Sequence, residues 1–450
     1  MDLNKINKVF FVGIGGIGMS ALARYFKFHG REVRGYDKTP TVLTGQLEAE
    51  GIPVHFNDEP ENVMKDADLV VYTPAIPAEN KELQFYRENN YLLLKRSEVL
   101  GLITESSFNI CVAGTHGKTT VSTMIAHILR HTGYGCNAFL GGIAVNYNSN
   151  YWSDKRNLCV IEADEYDRSF LKLSPDFAII TAMDADHLDI YGTEAEVQNS
   201  FIEFSGRVKN TGTLFYKLGL NRSDELRAKM KKTYHLDDST AEIYATNIRM
   251  ENGSYFFDFV MDNEILNGFL LNMGGAHNVE NAIVSIAVAK SLGLENEKIK
   301  NAVAAFKGVK RRFEYIVKSE GQVYIDDYAH HPEELRVLIH GAKALFKGKK
   351  TTIIFQPHLF TRTRDFADGF AEVLSGADEV ILLPIYPARE KPIPGVESNM
   401  ILQKMKNKNA RILDKAGVLN WIAKNKSEVL ITAGAGDIDQ LIEPIKKILS

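Results

Sequence analysis

The chain has 450 residues, of which 45% are hydrophobic and 24% charged, and its formal net charge is −4. This composition predicts a folded protein of about two to four domains, not a disordered chain, and it lacks the basic surplus expected of a nucleic-acid-binding surface. Three cysteines without a C-x-x-C pair (Cys111, Cys136 and Cys159), no cleavable leader and no long apolar run predict a cytoplasmic protein without membrane insertion.

Residues 1–106 alternate short β-branched runs with helix-like segments. The predicted strands are "KVFFVGIGG", "REVRGYD", "IPVHF", "DLVVYTPAI" and "YLLLKR". The run "GMSALARYFKFHG" repeats apolar residues near the helical period and ends at Gly30, so it predicts a helix. Strands that alternate with helices predict a parallel sheet.

The stretch "GIGGIGMS" follows the first predicted strand and matches G-x-G-x-x-G at Gly13, Gly15 and Gly18. Such a turn directs backbone N–H groups toward phosphate at the positive end of a helix. Asp37 ends the next strand, at the position of a ribose-binding acid. Three interpretations remain open: a nicotinamide dinucleotide, another diphosphate-linked nucleotide, or a glycine turn needed only for packing.

From about residue 107 a second series of strands begins, with "NICVAG", "GCNAFLGG", "NLCVIEAD", "FAIITAMD" and "GTLFYK". Residues 241–273 instead alternate polar and apolar side chains around an Asn-Gly turn, which predicts antiparallel hairpins. The apolar run "AHNVENAIVSIAVAKSLG" then predicts a helix.

The stretch "AGTHGKTT" lies between the first strand of this series and a predicted helix. It ends like the phosphate-binding loop G-x-x-x-x-G-K-[ST], but its first glycine is Gly114, so the loop is two residues shorter. Lys118 supplies a positive charge for phosphate, and Thr119 supplies a hydroxyl for Mg²⁺. The alternative is a glycine-containing helix cap with a surface lysine.

Acidic and histidine residues follow the next strands. "VIEADEYD" places Glu162 at a strand end, where a carboxylate can bind Mg²⁺, and "DADHLDIYG" places His187 after the following strand. The alternatives are a solvated acidic turn and a loop histidine without a role. In "GAHNVENAIVS", Asn278 and Asn281 share one helix face and can read a base edge, although either can also cap the helix.

The third series has the strands "QVYIDDYA", "KTTIIFQPH", "EVILLPIYP", "ARIL" and "EVLITAGAG". Arg312, in the preceding "GVKRRFE", can stabilise phosphate charge or lie on a solvated face. The first strand is followed by Asp326, Asp327, His330 and His331, and the second by His358, Arg362 and Arg364. Two arginines two residues apart after a strand end suit a carboxylate.

The predicted fold class is therefore α/β with three domains. Residues 1–106 form a Rossmann-like parallel sheet, and residues 107–315 form a P-loop-type domain with an added antiparallel hairpin region. Residues 316–450 form a second Rossmann-like domain. "TAGAGDI" near the C-terminus is a further strand–glycine–helix junction without a lysine.

The ordered set "GIGGIGMS", "AGTHGKTT", "EADEYDRSFL", "DADHLD", "HNVEN", "GVKRRFE", "DDYAHHP", "FQPHLFTRTRDF" and "TAGAGDI" resembles the Mur ligases of peptidoglycan synthesis. The resemblance spans nearly the whole chain. It implies that the first domain binds a UDP-sugar, the central domain binds ATP and Mg²⁺, and the third binds the amino acid and closes over the site. It also favours the branch that couples L-alanine to UDP-N-acetylmuramate, two small-molecule substrates, through an acyl phosphate.

The resemblance assigns roles residue by residue. Lys118, His187 and Arg312 are the expected catalytic residues, and Thr119, Glu162 and His187 the expected ligands of two Mg²⁺ ions. ATP is expected to contact Gly114, Thr115, His116, Gly117, Lys118, Thr119, Thr120, Asn278, Asn281, Arg312, Asp326 or Asp327. The UDP-sugar is expected at Gly13, Gly15, Gly16, Ile17, Gly18, Asp37 and Thr73, and the carboxylate end of the substrates at His330, Arg362 and Arg364.

One departure is informative. Several Mur ligases carry a carbamylated lysine about fourteen residues after the motif histidine, and the corresponding position here is Phe201. We therefore expect no carbamylated lysine, which agrees with the L-alanine branch. The base for the incoming ammonium is open, with His330 and His331 as candidates.

Three alternatives remain. A recycling ligase that attaches a tripeptide to the same UDP-sugar has a similar acidic strand. The segments "GIGGIGMS" and "FTRTRDF" favour the L-alanine branch over this recycling ligase. A nicotinamide-dependent dehydrogenase leaves Lys118 and the predicted Mg²⁺ ligands without a role. An ATP-switched binding protein predicts ATP binding without an amide product.

Overall fold

The computed structural model describes residues 3–184, 188–388 and 390–450. The chain divides into two compact units: residues 1–246, 259–267 and 280–303 form the first, and residues 247–258, 268–279 and 304–450 form the second. Three sheets follow one another along the chain, which confirms the predicted three-domain α/β fold class. Within the described residues, no helix combines the length and the apolar character needed to cross a membrane.

The first sheet has five strands, all parallel, in the order β3-β2-β1-β4-β5. All five predicted strands are present, and the predicted helix begins at Ile17 and ends at Phe28. The elements are β1 (Lys8–Val12), α1 (Ile17–Phe28), β2 (Glu32–Tyr36), α2 (Val42–Ala49), β3 (Val54–His55), β4 (Leu69–Tyr72), α3 (Lys81–Glu88), β5 (Leu93–Lys95) and α4 (Arg96–Ser106).

The second sheet has ten strands in the order β15-β14-β13-β12-β11-β10-β6-β9-β7-β8. Its elements are β6 (Phe108–Ala113), α5 (Lys118–His131), β7 (Asn137–Ala144), β8 (Ser149–Trp152), β9 (Leu158–Glu162), β10 (Phe177–Ile180), α6 (Leu188–Tyr191), α7 (Glu194–Ser205), β11 (Thr213–Lys217), β12 (Met230–Tyr234), β13 (Ile243–Glu251), β14 (Ser254–Met261), β15 (Glu264–Leu271), α8 (Ala276–Ser291) and α9 (Asn296–Ala305).

The predicted hairpins are confirmed. Two residues with positive φ, Asn252 (50°) and Gly253 (71°), join β13 to β14, and Asp262 (51°) and Asn263 (64°) join β14 to β15. Positive φ at both central residues is the type I′ geometry, which matches the twist of antiparallel strands. Sequence patterning missed the short β8, which pairs antiparallel with β7, and the lysine-containing β12, which pairs parallel with β11.

The third sheet has six strands in the order β16-β17-β21-β18-β19-β20. Its elements are β16 (Glu314–Lys318), β17 (Val323–Asp327), α10 (Pro332–Leu345), β18 (Thr351–Phe355), α11 (Phe360–Asp365), α12 (Ala367–Leu374), β19 (Glu379–Leu382), α13 (Ser398–Lys404), β20 (Ala410–Ile412), α14 (Lys415–Lys424), β21 (Val429–Ala433) and α15 (Ile442–Leu449). The unpredicted strand β16 is antiparallel to β17 and lies at the edge. The predicted boundary at 316 falls inside it, and the domain boundaries stay predictions.

The central parallel strands of the second and third sheets are buried on both faces. All five residues of β18 and of β21 are buried, as are five of the six in β6. Strands covered by helices on both sides are expected to be continuous apolar runs. Because the strands are parallel, the loops at their carboxyl ends share one edge of each sheet, and that is where the polar motifs lie.

Candidate functional site

The first glycine turn joins β1 to α1. Gly13 has φ of +88°, and the backbone N–H groups of Gly13 and Ile14 both donate to the Tyr36 carbonyl, at 2.7 and 2.9 Å. The carboxylate of Asp37 accepts the N–H of Gly15 at 2.7 Å. No side chain caps the start of α1 at Gly16. The turn therefore presents N–H groups at a positive helix end, as an anion site requires.

The second glycine turn joins β6 to α5, which begins at Lys118. Gly114 (φ +136°) and Gly117 (φ +81°) adopt conformations that favour glycine. The Thr181 hydroxyl, after β10, donates to the carbonyl of Ala113 at 3.2 Å and bonds that of His116. The loop shape is thus held by the neighbouring strand end, and Thr181 was not predicted.

Lys118, at the end of this loop, forms an ion pair with Glu165, which follows β9. The ammonium is 2.8 Å from a Glu165 carboxylate oxygen and 2.6 Å from the Gly114 carbonyl. Only 1% of the Glu165 side chain is exposed, and this burial raises the pKa of its carboxyl, while Lys118 acts in the opposite direction. Glu165 belongs to the predicted acidic stretch, but nothing in the sequence distinguished it as the partner of Lys118.

Thr119 and Glu162 meet at the start of α5 and the end of β9. The Thr119 hydroxyl is 2.9 Å from one carboxylate oxygen of Glu162, and the N–H of Gly141 donates to the other at 2.8 Å. A hydroxyl and a carboxylate beside a phosphate loop are hard oxygen ligands suited to Mg²⁺, so the residues fit the ion. His187, predicted to bind a second ion, lies outside the described residues.

A cavity of about 260 Å³ lies within the first unit and is lined by both the first glycine turn and Glu162, the partner of Thr119. It is bordered by Gly16, Ile17 and Gly18 on one side and by Gly141, Glu162 and Asp164 on another, and Thr73 and Arg96 also line it. Arg96 pairs with Asp164 at 3.7 Å, and a β-carbon on Gly18 would lie 2.9 Å from its guanidinium. Arg96 belongs to none of the sequence motifs, and its place at this cavity was not predicted.

The two asparagines of α8 differ in their surroundings. The Asn278 amide donates to the Gly274 carbonyl at 2.6 Å, and its side chain is buried. Asn281 faces the phosphate loop, since a β-carbon on Gly117 would lie 3.1 Å from its side-chain oxygen. The position of Asn281 is compatible with a nucleotide contact, and its predicted role stays a prediction.

In the second unit, the adjacent arginines before β16 also differ. Arg312 is exposed, whereas Arg311 is partly buried and pairs with Asp326 at 3.1 Å. Asp326 is fully buried, accepts the Thr432 hydroxyl, and has its pKa raised by burial to about 7. Asp327 accepts the N–H groups of Phe313 and Ala329, each at 2.7 Å.

This arrangement narrows the prediction that Asp326 or Asp327 meets the nucleotide. The Asp326 carboxylate forms an ion pair with Arg311, and the side chain of Asp326 is fully buried. Of the two acids, only Asp327 is partly exposed. Arg312, which is exposed, and Asp327, which is partly exposed, therefore stay candidates for contact with the nucleotide.

The third sheet carries the residues predicted for the amino acid. Arg362 lies in α11, and its Nη1 is buried without a hydrogen-bond partner in the part of the chain that the structure describes. His330 is held by a contact of 2.9 Å between its Nδ1 and the Tyr328 carbonyl. Arg364 is exposed and pairs with its neighbour Asp365 at 2.7 Å. The buried, unsatisfied donor of Arg362 makes it the stronger candidate of the two arginines for an anionic ligand.

Comparison with known protein families gives three consecutive matches. Residues 8–107 match a model described as Mur ligase family, catalytic domain, and residues 112–289 match the Mur ligase middle domain. Residues 311–436 match a model described as Mur ligase, glutamate ligase domain.

Curated relatives match over their full length. A UDP-N-acetylmuramate–L-alanine ligase of Flavobacterium johnsoniae is 48% identical, covering 100% of this chain and 99% of the relative. One of Parabacteroides distasonis is also 48% identical, covering 100% and 98%. Among solved structures, the UDP-N-acetylmuramate–alanine ligase of Thermotoga maritima superposes with a TM-score of 0.81 at 30% identity, covering 98% of both chains.

Proposed function

The chain belongs to the Mur ligase family, and from this premise we propose that it couples L-alanine to the lactyl carboxylate of UDP-N-acetylmuramic acid at the expense of ATP. The full-length relatives with that name support the choice of branch. The product is a precursor of peptidoglycan, so the enzyme serves cell-wall formation, and hence cell shape and division, from the cytoplasm.

The observation that carries the proposal is the cavity within the first unit. It extends from the Gly16–Gly18 turn to the carboxylate of Glu162, which in turn bonds Thr119 of the phosphate loop. A UDP-sugar whose diphosphate lies at the first turn can direct its carboxylate toward the second. A dehydrogenase would not require a cavity that leads from the first turn to Glu162 and Thr119, because hydride transfer needs no phosphate loop.

The chemistry explains why two anion sites are needed. A free carboxylate is a poor electrophile, since it is anionic and its leaving group is oxide. Transfer of the γ-phosphoryl group of ATP to a carboxylate oxygen gives an acyl phosphate, whose leaving group is phosphate. Lys118 balances phosphate charge during this transfer, and Arg312 adds a second positive charge from the segment before β16.

Thr119 and Glu162 would hold one Mg²⁺, and His187 a second. When bound, the ions neutralise phosphate charge and orient the phosphate oxygens. The Gly141 N–H bond to Glu162 fixes one carboxylate oxygen and leaves the other directed at Thr119. In the same proposal Gly114–Thr120, Asn278, Asn281 and Asp327 contact ATP. Asp37 and Thr73 contact the UDP-sugar.

The residues of the third sheet receive the amino acid. Arg362, whose buried Nη1 has no hydrogen-bond partner among the described residues, binds the α-carboxylate, and His330 and Arg364 contact the same carboxylate end of the substrates. The amine of L-alanine attacks the acyl carbon, the bond to phosphate breaks, and an amide results.

The test is ADP release by the purified protein. We expect release only when UDP-N-acetylmuramate and L-alanine are both present, together with Mg²⁺. ADP release in the absence of UDP-N-acetylmuramate, or in the absence of L-alanine, would refute the proposal. Replacing L-alanine by the tripeptide L-alanyl-γ-D-glutamyl-meso-diaminopimelate distinguishes the recycling ligase. A murein peptide ligase of Psychrobacter arcticus shares the fold at a TM-score of 0.66, but only 22% identity.

A further inference from the structure

The second unit contains a polar cluster in which the sequence motifs assigned no role to His358 or Tyr386. It lies where β17, β18 and β19 end and consists of His330, His358, Arg362 and Tyr386. The ring of His358 stacks on that of Tyr386, with centroids 5.8 Å apart and planes at 19°. The ring of His330 contacts the His358 ring edge-on, with centroids 6.1 Å apart.

The backbone on both sides of His358 is held in place. A parallel bridge joins His358 to Tyr386, the N–H of Leu359 donates to the Tyr386 carbonyl at 3.0 Å, and that of Tyr386 donates to the Pro357 carbonyl at 2.8 Å. Leu359 adopts φ of +68°, a conformation that costs a side-chain-bearing residue about 1–3 kcal/mol. The His358 ring is therefore presented in a fixed position.

Two buried atoms of this cluster have no hydrogen-bond partner among the described residues: Nδ1 of His358 and Nη1 of Arg362. Leaving such an atom unsatisfied costs about 1–3 kcal/mol, so the pair indicates a missing ligand. A guanidinium only donates, and therefore needs an acceptor such as a carboxylate. A neutral imidazole nitrogen can accept a proton. An α-amino acid, with its carboxylate and ammonium on one carbon, supplies a partner for each.

We propose that His358 is the base that takes the proton from the α-ammonium of the incoming amino acid, while Arg362 binds its carboxylate. This inference rests on the proposed function. In the step, one ammonium proton passes to Nδ1 of His358, and the freed electron pair forms the C–N bond to the acyl carbon. The acyl C–O bond breaks, and phosphate leaves with the electron pair of that C–O bond and accepts the second proton of the nitrogen. His358 then releases its proton to solvent.

The other two histidines of the motif are engaged elsewhere. The Nδ1 of His330 lies 2.9 Å from the Tyr328 carbonyl, which can only accept, so this nitrogen is a donor, and it is 3.6 Å from the Glu334 carboxylate. The Nδ1 of His331 accepts the N–H of Glu333 at 3.4 Å, at the start of α10. A ring whose lone pair is already used as a helix cap is a poor base.

The charges around His358 favour its neutral form. Burial lowers its pKa, and the neighbouring rings and charges of His330 and Arg362 lower it further, while Glu390 acts in the opposite direction. A base must be unprotonated, so activity that depends on His358 is lost as pH falls through its pKa. With the pKa below its usual range, the imidazole is ready to accept a proton at neutral pH.

The experiment compares two nucleophiles in His358→Gln. L-Alanine must lose a proton before it attacks, whereas hydroxylamine is already neutral at neutral pH and intercepts the acyl phosphate without a base. We expect His358→Gln to lower kcat with L-alanine by about 100-fold or more. ADP release with hydroxylamine and UDP-N-acetylmuramate should stay close to that of the wild type. The acid limb of kcat/KM for L-alanine should disappear.

His340→Gln, the same change at an exposed histidine of α10, is the matched control and should keep the wild-type pH profile. Equal loss with both nucleophiles, or an unchanged acid limb in His358→Gln, would overturn the inference. Loss of that limb in His331→Asn would do so as well. If His358→Gln does not fold, His358→Asn is measured in the same way. Failure of the proposed function is a separate outcome, because wild-type protein would then release no ADP with L-alanine.

Discussion

The glycine turns at Gly13–Gly18 and Gly114–Lys118 both join a buried parallel strand to the start of a helix, but their side chains differ. At the first, a carboxylate from the next strand, Asp37, accepts a backbone N–H of the turn. At the second, Lys118 begins the helix, and Thr119 lies against Glu162. Backbone N–H groups alone suit a diphosphate that remains intact, whereas a lysine and Mg²⁺ ligands suit a phosphate that is transferred.

The largest expected effect separates binding from chemistry. Lys118→Ala should reduce ADP release by about a thousandfold, because phosphoryl transfer loses its nearest positive charge. Binding of UDP-N-acetylmuramate, measured by calorimetry, should persist, since the first turn is untouched. Lys155→Ala, at an exposed lysine of the same unit, is the control. If Lys118→Ala lost both ADP release and the binding of UDP-N-acetylmuramate, the division of roles between the two turns would be contradicted.

Glu162→Gln tests the predicted Mg²⁺ ligand. The amide keeps the shape of the side chain but removes its charge, so the Mg²⁺ concentration for half-maximal activity should rise by about 10- to 100-fold. The KM for UDP-N-acetylmuramate should change much less. Thr119→Ser, which keeps the hydroxyl, should remain close to the wild type. An unchanged Mg²⁺ requirement in Glu162→Gln would place the ion elsewhere.

Gly114→Ala compares the rigidity of the two turns. A β-carbon at Gly114 would clash with the Thr181 hydroxyl oxygen, its nearest atom, and lie 2.8 Å from the backbone nitrogen of Ala182, and φ is +136°. At Gly13 the nearest atom is the flexible end of Ile76, also at 2.8 Å, with φ of +88°. We expect Gly114→Ala to destabilise the protein by about 1–3 kcal/mol and to raise the KM for ATP.

Gly13→Ala should destabilise the protein less, because a side-chain end moves more easily than backbone, and it should raise the KM for the UDP-sugar instead. Thermal unfolding and the two KM values measure the difference. Gly45→Ala, in helix α2 with nothing within 4 Å, is the neutral control. Equal effects of Gly13→Ala and Gly114→Ala on the KM for ATP would show that the turns are not independent.

The smallest effect is expected for Asp37→Asn. The change weakens a charged hydrogen bond to the Gly15 N–H, worth about 1.5–3 kcal/mol when fully lost. We expect a roughly tenfold increase in the KM for UDP-N-acetylmuramate, with the KM for ATP unchanged. A change confined to the KM for ATP would argue that Asp37 serves the other turn.

Strand and turn chemistry made much of the fold predictable. Apolar β-branched runs identified all five strands of the first sheet, and an Asn-Gly pair identified the first hairpin turn because both residues tolerate positive φ. The strands that were missed, β8, β12 and β16, are short or polar, or lie at a sheet edge. Their structure depends on a neighbouring strand more than on their own pattern.

The sequence by itself determined which residues lie at the strand ends, and hence both glycine turns, Lys118, Thr119, Glu162 and the order of the motifs. Only the tertiary structure decided which of these residues meet. Lys118 pairs with Glu165, Arg311 is partly buried while Arg312 is exposed, and His358 and Arg362 each have a buried atom without a hydrogen-bond partner among the described residues. Local pattern sets the position of a side chain along a strand or helix, whereas its partner and its burial depend on chain segments that lie far apart in the sequence.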